Sequence, residues 1–318
     1  MNKPNAVIKT NYTHLSSTDM LPLSVVRFEP ADPLAVKGIV QIVHGKNEHK
    51  GRYEELMRLL AENGYITVAN DHRGNGESVI DAKDRGYFYN GGADALVRDL
   101  HEITLETKEY AKDLCGRIDL PFTMLGHSMG SLAARCYIRK YDYELDKLCL
   151  LGSPSEPTIL WTGMAFLRVL ELFKGKRAAS KAADIFIMYL PYGLKYRKEH
   201  LKNSWTCTDR NAVIEQNNDP LCRYSLSISG YEEMLKMVKL TYKCGYTPKN
   251  RALQIRFFSG ADDPCAGSRQ KLAAAAQKLI KLGYKDTRFK MYKNMRHNIL
   301  HEKNKELVFS DILKFIEK

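Results

Sequence analysis

The stretch Pro121–Ser131, PFTMLGHSMGS, constrains this chain more than any other. A short apolar run, Phe122 to Leu125, stops abruptly at Gly126-His127-Ser128-Met129-Gly130. Leu132, Ala133, Ala134, Cys136, Tyr137 and Ile138 follow at the spacing of a buried helix. Strand, sharp turn and helix around G-x-S-x-G is the setting of a nucleophile elbow, which raises a serine hydroxyl above the edge of a sheet. The packing demands both glycines, because a Cβ two residues before or after the serine would collide with the neighbouring strand or helix. The serine itself must take up a strained backbone conformation. A bare G-x-S-x-G arises by chance in roughly one chain of this length in ten, so the flanking strand and helix carry the weight of the reading.

The remaining residues set the scale of the fold. At 318 residues, 44% of them hydrophobic, the chain can fill a full core, and α/β folds of this size are often one domain with an insertion. Its seven cysteines, Cys115, Cys136, Cys149, Cys207, Cys222, Cys244 and Cys265, are odd in number and lack a CxxC pair. Cys136 and Cys149 lie in apolar stretches, as buried thiols do. The pattern predicts a reducing compartment with neither a disulfide framework nor a zinc site. The opening MNKPNAVIKTNYTH has no signal-peptide core, and no run of 18 apolar residues occurs anywhere. A soluble, cytoplasmic protein is the expectation. The formal charge of +12 is spread along the whole chain without a nucleic-acid motif, so no nucleic-acid partner is expected. It suits a soluble basic surface, or attraction to anionic lipid.

Strand and helix signals alternate. Val7–Tyr12 and Leu21–Phe28 read as an antiparallel opening pair, and Val36–Val43 as a more buried strand. A helix follows, carrying Tyr53, Leu56, Met57 and Leu60 on one face, with Gly64 as its stop. Tyr65–Ala69 is a strand leading into DHRGNGES, Gly91–Cys115 a long helix, and Asp146–Leu151 a strand after the elbow helix. The rhythm breaks between about Ser155 and Asn250, which reads as helical and aromatic. It resumes with a strand at Leu253–Phe258, a helix over Gly267–Leu282, a strand at Thr287–Tyr292 and a last helix around Glu306–Ile316. The expectation is an α/β fold with a mostly parallel central sheet flanked by helices. Residues 1–154 and 251–318 form its core, and 155–250 an inserted helical cap.

A serine hydroxyl needs a histidine to take its proton, and that histidine needs a carboxylate to orient it. In such sheets reactive groups gather on loops at the carboxyl ends of strands. The strand Leu253–Phe258 runs into SGADDP, offering Asp262 and Asp263, and Thr287–Tyr292 runs into KNMRH, offering His297, with His301 beyond. Pro264 stiffens the turn after Asp263 and favours it. His301, near the last helix, suits a surface or helix-cap position better. The order Ser, Asp, His is that of an α/β-hydrolase triad. Two backbone N–H groups must also face the developing oxyanion. Met129 supplies one at a helix N-terminus, and Lys46, after His44-Gly45, the other. His44 reads as a structural residue of its loop, and Asp71 with the glycines of DHRGNGES as scaffolding.

Taken together, HG-x-x-EH-x-x-RY, DHRGNGES, GHSMG, SGADDP and RHNILHE resemble the monoacylglycerol lipase and bacterial lysophospholipase branch of the α/β-hydrolases, as does SWTCTDRNAVIEQNNDPLCRYSLS. The resemblance covers nearly the whole chain in order. It implies Ser128 as nucleophile, Asp263 as acid, His297 as base, and the amides of Lys46 and Met129 as oxyanion donors. It also implies a family free of cofactor and metal. Asn47, where many relatives carry a small residue, and Thr206-Cys207 after the cap tryptophan depart from the pattern and bear on substrate.

The expected substrate is a single-chain acyl lipid, a lysophospholipid or monoacylglycerol. Thr158–Phe173 is apolar around most of its circumference, with only Arg168 and Glu171 charged. It suits a helix packed on the core, part of which lines an acyl tunnel or makes transient membrane-surface contact. Ile185–Leu190 adds an apolar patch, followed by a basic stripe of Lys195, Arg197, Lys198 and Lys202. The alternatives are a short-chain esterase and a proline iminopeptidase-like peptidase. The peptidase would use cap acids such as Glu215, Asp219, Glu232 or Glu233 to hold a free amine.

Overall fold

The structure, a computed structural model, describes residues 5–157, 160–243 and 245–318. Cys244 and the first two residues of the apolar stretch 158–173 lie outside the described residues. Eight strands form one sheet: β1 (Val7–Leu15), β2 (Pro22–Pro30), β3 (Gly38–Val43), β4 (Tyr65–Asn70), β5 (Phe122–His127), β6 (Lys147–Leu151), β7 (Gln254–Gly260) and β8 (Thr287–Tyr292). Their order is β1-β2-β4-β3-β5-β6-β7-β8. β2 is antiparallel to both its neighbours and every other pairing is parallel, so the opening hairpin and parallel core agree with the sequence reading. This is the α/β-hydrolase architecture.

The central strands β3 to β6 are buried on both faces, which is why they read as largely apolar runs. Alternate residues of each strand still serve different layers. Ile39 and Val43 of β3, Met124 of β5, and Leu148 and Leu150 of β6 face one core. That core includes α2 (Gly92–Cys115), α3 (Met129–Tyr141), α7 (Ile228–Tyr242) and α8 (Arg269–Leu282). Val40, Ile42, Leu125, Cys149 and Leu151 face the other, closed by α1 (Glu54–Glu62) and α9 (Lys305–Glu317). One buried polar residue among these strands, Gln41, is satisfied: its Nε2 donates to Leu100 O at 3.0 Å and its Oε1 accepts from Thr104 Oγ1 at 2.6 Å.

Element ends shift by a few residues, for local reasons. β3 starts at Gly38 and not Val36, because Asp32 caps a 3-10 turn at Pro33–Ala35 and Val36 closes it. α8 starts at Arg269, where the Ser268 side chain accepts from Lys271 N. Between β6 and β7 the described chain forms no strand. It runs through α4 (Leu160–Lys174), α5 (Lys181–Asp184), a wide-turned helical stretch at Ile185–Gly193, α6 (Arg210–Asn218) and α7. α4 buries little beyond Gly163 and Leu167, and its outward face is bare apolar surface.

Candidate functional site

The site lies where β3, β5, β7 and β8 end. Ser128 follows β5 with φ 53° and ψ −118°, the strained turn expected of an elbow. The flanking glycines have an atomic reason. A Cβ on Gly126 would sit 2.6 Å from Gly130 O, and one on Gly130 only 2.0 Å from Val43 O and 2.5 Å from His44 O. α3 thus starts directly against the end of β3.

The three residues from distant parts of the chain meet. His297 Nε2 lies 2.8 Å from Ser128 Oγ, and His297 Nδ1 lies 3.1 and 3.0 Å from the two Asp263 oxygens. Asp263 is further held by Cys265 N–H at 2.8 Å and Ser259 Oγ at 3.3 Å. Burial alone would raise its carboxyl, but the charge and hydrogen bond of His297 and the backbone N–H groups of Cys265 and Ala266 outweigh it and hold it below the usual range. The competing residues stand apart. Asp262 is exposed. His301 is neither a surface residue nor a helix cap: it is half-buried, Asn304 occupies the cap of α9, and burial pushes its imidazole down to about 3.

The loop after β3 brings Lys46 beside the serine. A Cβ on Gly45 would lie 3.2 Å from Ser128 Cβ, and Lys46 and Met129 line one cavity together with Ser128. This loop is pinned by Glu48 and by Tyr53, which precedes α1 and turns its hydroxyl to the loop. Glu48 Oε2 accepts from Gly45 N–H at 2.9 Å and Tyr53 O–H at 2.6 Å, and lies 3.1 Å from His127 Nδ1. Burial works against this carboxylate, but His127, Arg52 and Tyr53 keep it well below the usual range. Glu48 and Tyr53 belong to the HG-x-x-EH-x-x-RY string, and that string was the available signal. His44 Nδ1 donates to Gly45 O at 2.8 Å, its Nε2 accepts from His72 N at 2.9 Å, and the two rings stack at 3.8 Å. Asp71 accepts from Lys50 N at 2.7 Å and Glu77 N at 2.8 Å, tying the DHRGNGES loop to the same scaffold.

His297 is bracketed by residues tied to the helical stretch between β6 and β7. Arg296 forms a bidentate pair with Glu199 and donates to the Ser204 and Cys207 carbonyls. Asn298 N donates to Thr206 O at 2.6 Å, and its side chain to Gln216 Oε1 at 3.1 Å. Trp205 packs on the His297 ring at 5.0 Å.

Two cavities open from Ser128. One, about 100 Å³, is walled by Met129, Leu132, Leu160, Ile187, Leu235 and Val238 among other residues, and Lys46 is its one charged lining residue among those described. The other, about 570 Å³, has a mixed lining, with Ile185, Met188 and Trp205 beside Asn203, Asn217 and Arg223. Of the basic stripe, Arg197 and Lys202 line this second chamber, while Lys195 and Lys198 do not. None of Glu215, Asp219, Glu232 and Glu233 lines either cavity. Asp219 is paired with His49 at 2.8 Å and Glu233 accepts from Ala93 N at 2.8 Å.

The chain is similar to known lipases and esterases over most of its length. The chain is 25% identical to human monoglyceride lipase over 315 residues, covering 96% of this chain and 89% of that protein. It is 23% identical to a monoacylglycerol lipase of Mycolicibacterium smegmatis, covering 88% of each. The fold matches a thermostable carboxyl esterase from Bacillus coagulans with a TM-score of 0.83 at 23% identity, over 97% of this chain and 98% of that one. The model of the family described as serine aminopeptidase, S33, matches residues 35–304. The chain belongs to this family of α/β-hydrolases.

Proposed function

We propose that the chain is a serine hydrolase that cleaves the ester of a single-chain acyl lipid through an acyl-enzyme on Ser128. The observation that carries this reading is the Ser128 Oγ–His297 Nε2 contact of 2.8 Å at the mouth of an apolar slot. His297 takes the hydroxyl proton as Oγ attacks the ester carbonyl, and Asp263 holds the imidazole in the correct tautomer. The Lys46 and Met129 amides receive the negative charge that develops on the carbonyl oxygen. His297 then hands its proton to the departing alcohol. Water, activated by the same imidazole, attacks the acyl-enzyme and releases the fatty acid.

The monoglyceride and monoacylglycerol lipases among the relatives support lipid esters as substrates. The family description names an aminopeptidase, but a free amine needs an unpaired carboxylate in the cavity. The two acids that line it, Glu48 and Asp184, are already hydrogen-bonded to tyrosines. A panel of esters of increasing acyl length beside a proline amide tests the assignment. The esters are expected to be hydrolysed with a chain-length optimum and the amide left intact, and turnover of the amide alone would reverse the reading. A fluorophosphonate should label Ser128 and no other residue.

In this reading residues 155–250 act as a cap inserted into a core of 1–154 and 251–318. Trp161, Leu172 and Phe173 of α4 are each more than half exposed, with Arg168, Lys174 and Lys176 close by in sequence, and they form the surface that meets a membrane. No helix among the described residues is long and apolar enough to cross one. The Trp161→Ala/Phe173→Ala variant should lose at least about tenfold in partitioning to anionic vesicles, the scale set by removing two buried aromatics from lipid. Hydrolysis of a water-soluble short ester should be unchanged. Unaltered vesicle binding would remove α4 from the contact. The six described cysteines are free thiols, which supports a reducing, cytoplasmic setting.

A further inference from the structure

We propose that the larger chamber at Ser128 is a receptor for a phosphate on the substrate headgroup, which makes a singly acylated glycerophosphate a better substrate than the neutral acylglycerol. The proposal rests on the lipid-ester reading above and adds the chemistry of the leaving alcohol.

The charge balance of the chamber is one-sided. Lys46, Lys181, Arg197, Lys202 and Arg223 line it, against two carboxylates, Glu48 and Asp184. Neither carboxylate neutralises these cations well. Glu48 is turned into the loop scaffold of Gly45, Tyr53 and His127. Asp184 accepts from Tyr231 O–H on one oxygen and Ser225 O–H on the other, with Lys46 Nζ only at 3.9 Å. Among the described residues no carboxylate lies within ion-pair distance of Lys181, Arg197, Lys202 or Arg223. Like charges gathered in a concave wall raise the local concentration of an anion.

Lys46 ties this charge to the reacting bond. It lines both cavities, and its side chain is only 14% exposed. Burial pushes its ammonium down to about 8, with Asp184 opposing the fall and Lys202 adding to it. Its Nζ donates to the neutral Asn47 side chain and its nearest carboxylate stays distant, so an incoming anion is what balances its charge. Its own amide is the proposed oxyanion donor, so its ammonium reaches only groups a few bonds from the scissile carbonyl. In an acylated glycerophosphate the group at that reach is the phosphate. The apolar slot on the other side of Ser128 takes the acyl chain, which leaves the headgroup to the cationic chamber.

The experiment compares kcat/KM for 1-acylglycerol 3-phosphate and 1-acylglycerol of the same short chain, below their micellar concentrations. It uses the wild-type chain and Lys202→Gln/Arg223→Gln, with thermal unfolding to confirm that the variant is folded. The wild type should prefer the phosphate by at least about tenfold, and the variant should lose about tenfold of that preference, the scale of one charge-assisted hydrogen bond. Glycerol 3-phosphate should compete with a nitrophenyl ester more strongly than inorganic phosphate does. Equal rates on both lipids, a preference unmoved in the folded variant, or equal competition by inorganic phosphate would each overturn the headgroup assignment. If neither lipid is cleaved and Ser128 escapes the fluorophosphonate, the fault lies in the lipid-ester reading itself.

Discussion

Ser128→Ala and His297→Ala are each expected to lower kcat by about a million-fold, and the double variant no further. The reason is the single relay between them. With His297 Nε2 at 2.8 Å from Ser128 Oγ and both Asp263 oxygens within 3.1 Å of Nδ1, loss of either end leaves the other without a task. Asp263→Asn should cost about ten-thousand-fold, because the amide stabilises the wrong imidazole tautomer. The residual rate should be that of binding and the two proposed oxyanion amides alone. His301→Ala should not approach these losses, since no hydrogen bond among the described residues joins its ring to Ser128 or Asp263. Steady-state kinetics on one ester, with fluorophosphonate labelling alongside, measures all five variants. Additive losses in the double variant would break the relay, and equal losses at His297 and His301 would reassign the base.

Gly130→Ala should be among the most damaging single methyl groups in the molecule. Its Cβ would lie 2.0 Å from Val43 O and 2.5 Å from His44 O, and both obstacles are backbone that cannot rotate away. α3 would have to withdraw from the end of β3, carrying Met129 away from Lys46. We expect a loss of roughly 3 kcal/mol or more in stability, with activity falling in whatever protein still folds. Gly163→Ala, in α4, makes the control. Its Cβ meets only the movable tip of Leu235 at 3.3 Å, and a helix interior gains up to about 1 kcal/mol from alanine over glycine. Thermal unfolding of the two variants should move in opposite directions, or at least differ widely. Similar shifts would refute the steric account.

Much of this was legible in the chain because it is written in local contacts and strand ends. The alternation that places Ile39 and Val40 on opposite faces of the sheet is a two-residue pattern, and Ser128, Asp263 and His297 each lie within five residues of the end of a strand. What was not legible depends on packing between distant segments. His301 looks like a helix-start residue until Arg52 and Glu48 come near it, and neither lies close in sequence. Cys207, Cys222 and Cys265 sit among polar neighbours in sequence yet are buried, as Cys136 and Cys149 are in their apolar runs. Glu215, Asp219, Glu232 and Glu233 look available for an amine, but none of them lines either cavity. The same holds for the charge asymmetry around Lys46, which arises from residues drawn from three separate stretches of the chain.

The bracketing of His297 has a mechanical consequence. Arg296 and Asn298 fasten the chain on either side of the base to Glu199, Ser204, Thr206, Cys207 and Gln216. Lifting that part of the roof would drag the imidazole with it and disengage the proton relay. In the proposed reading an acyl lipid enters instead under α4 and Ile185–Leu190, where Trp161, Leu172, Phe173 and Ile185 already face outward.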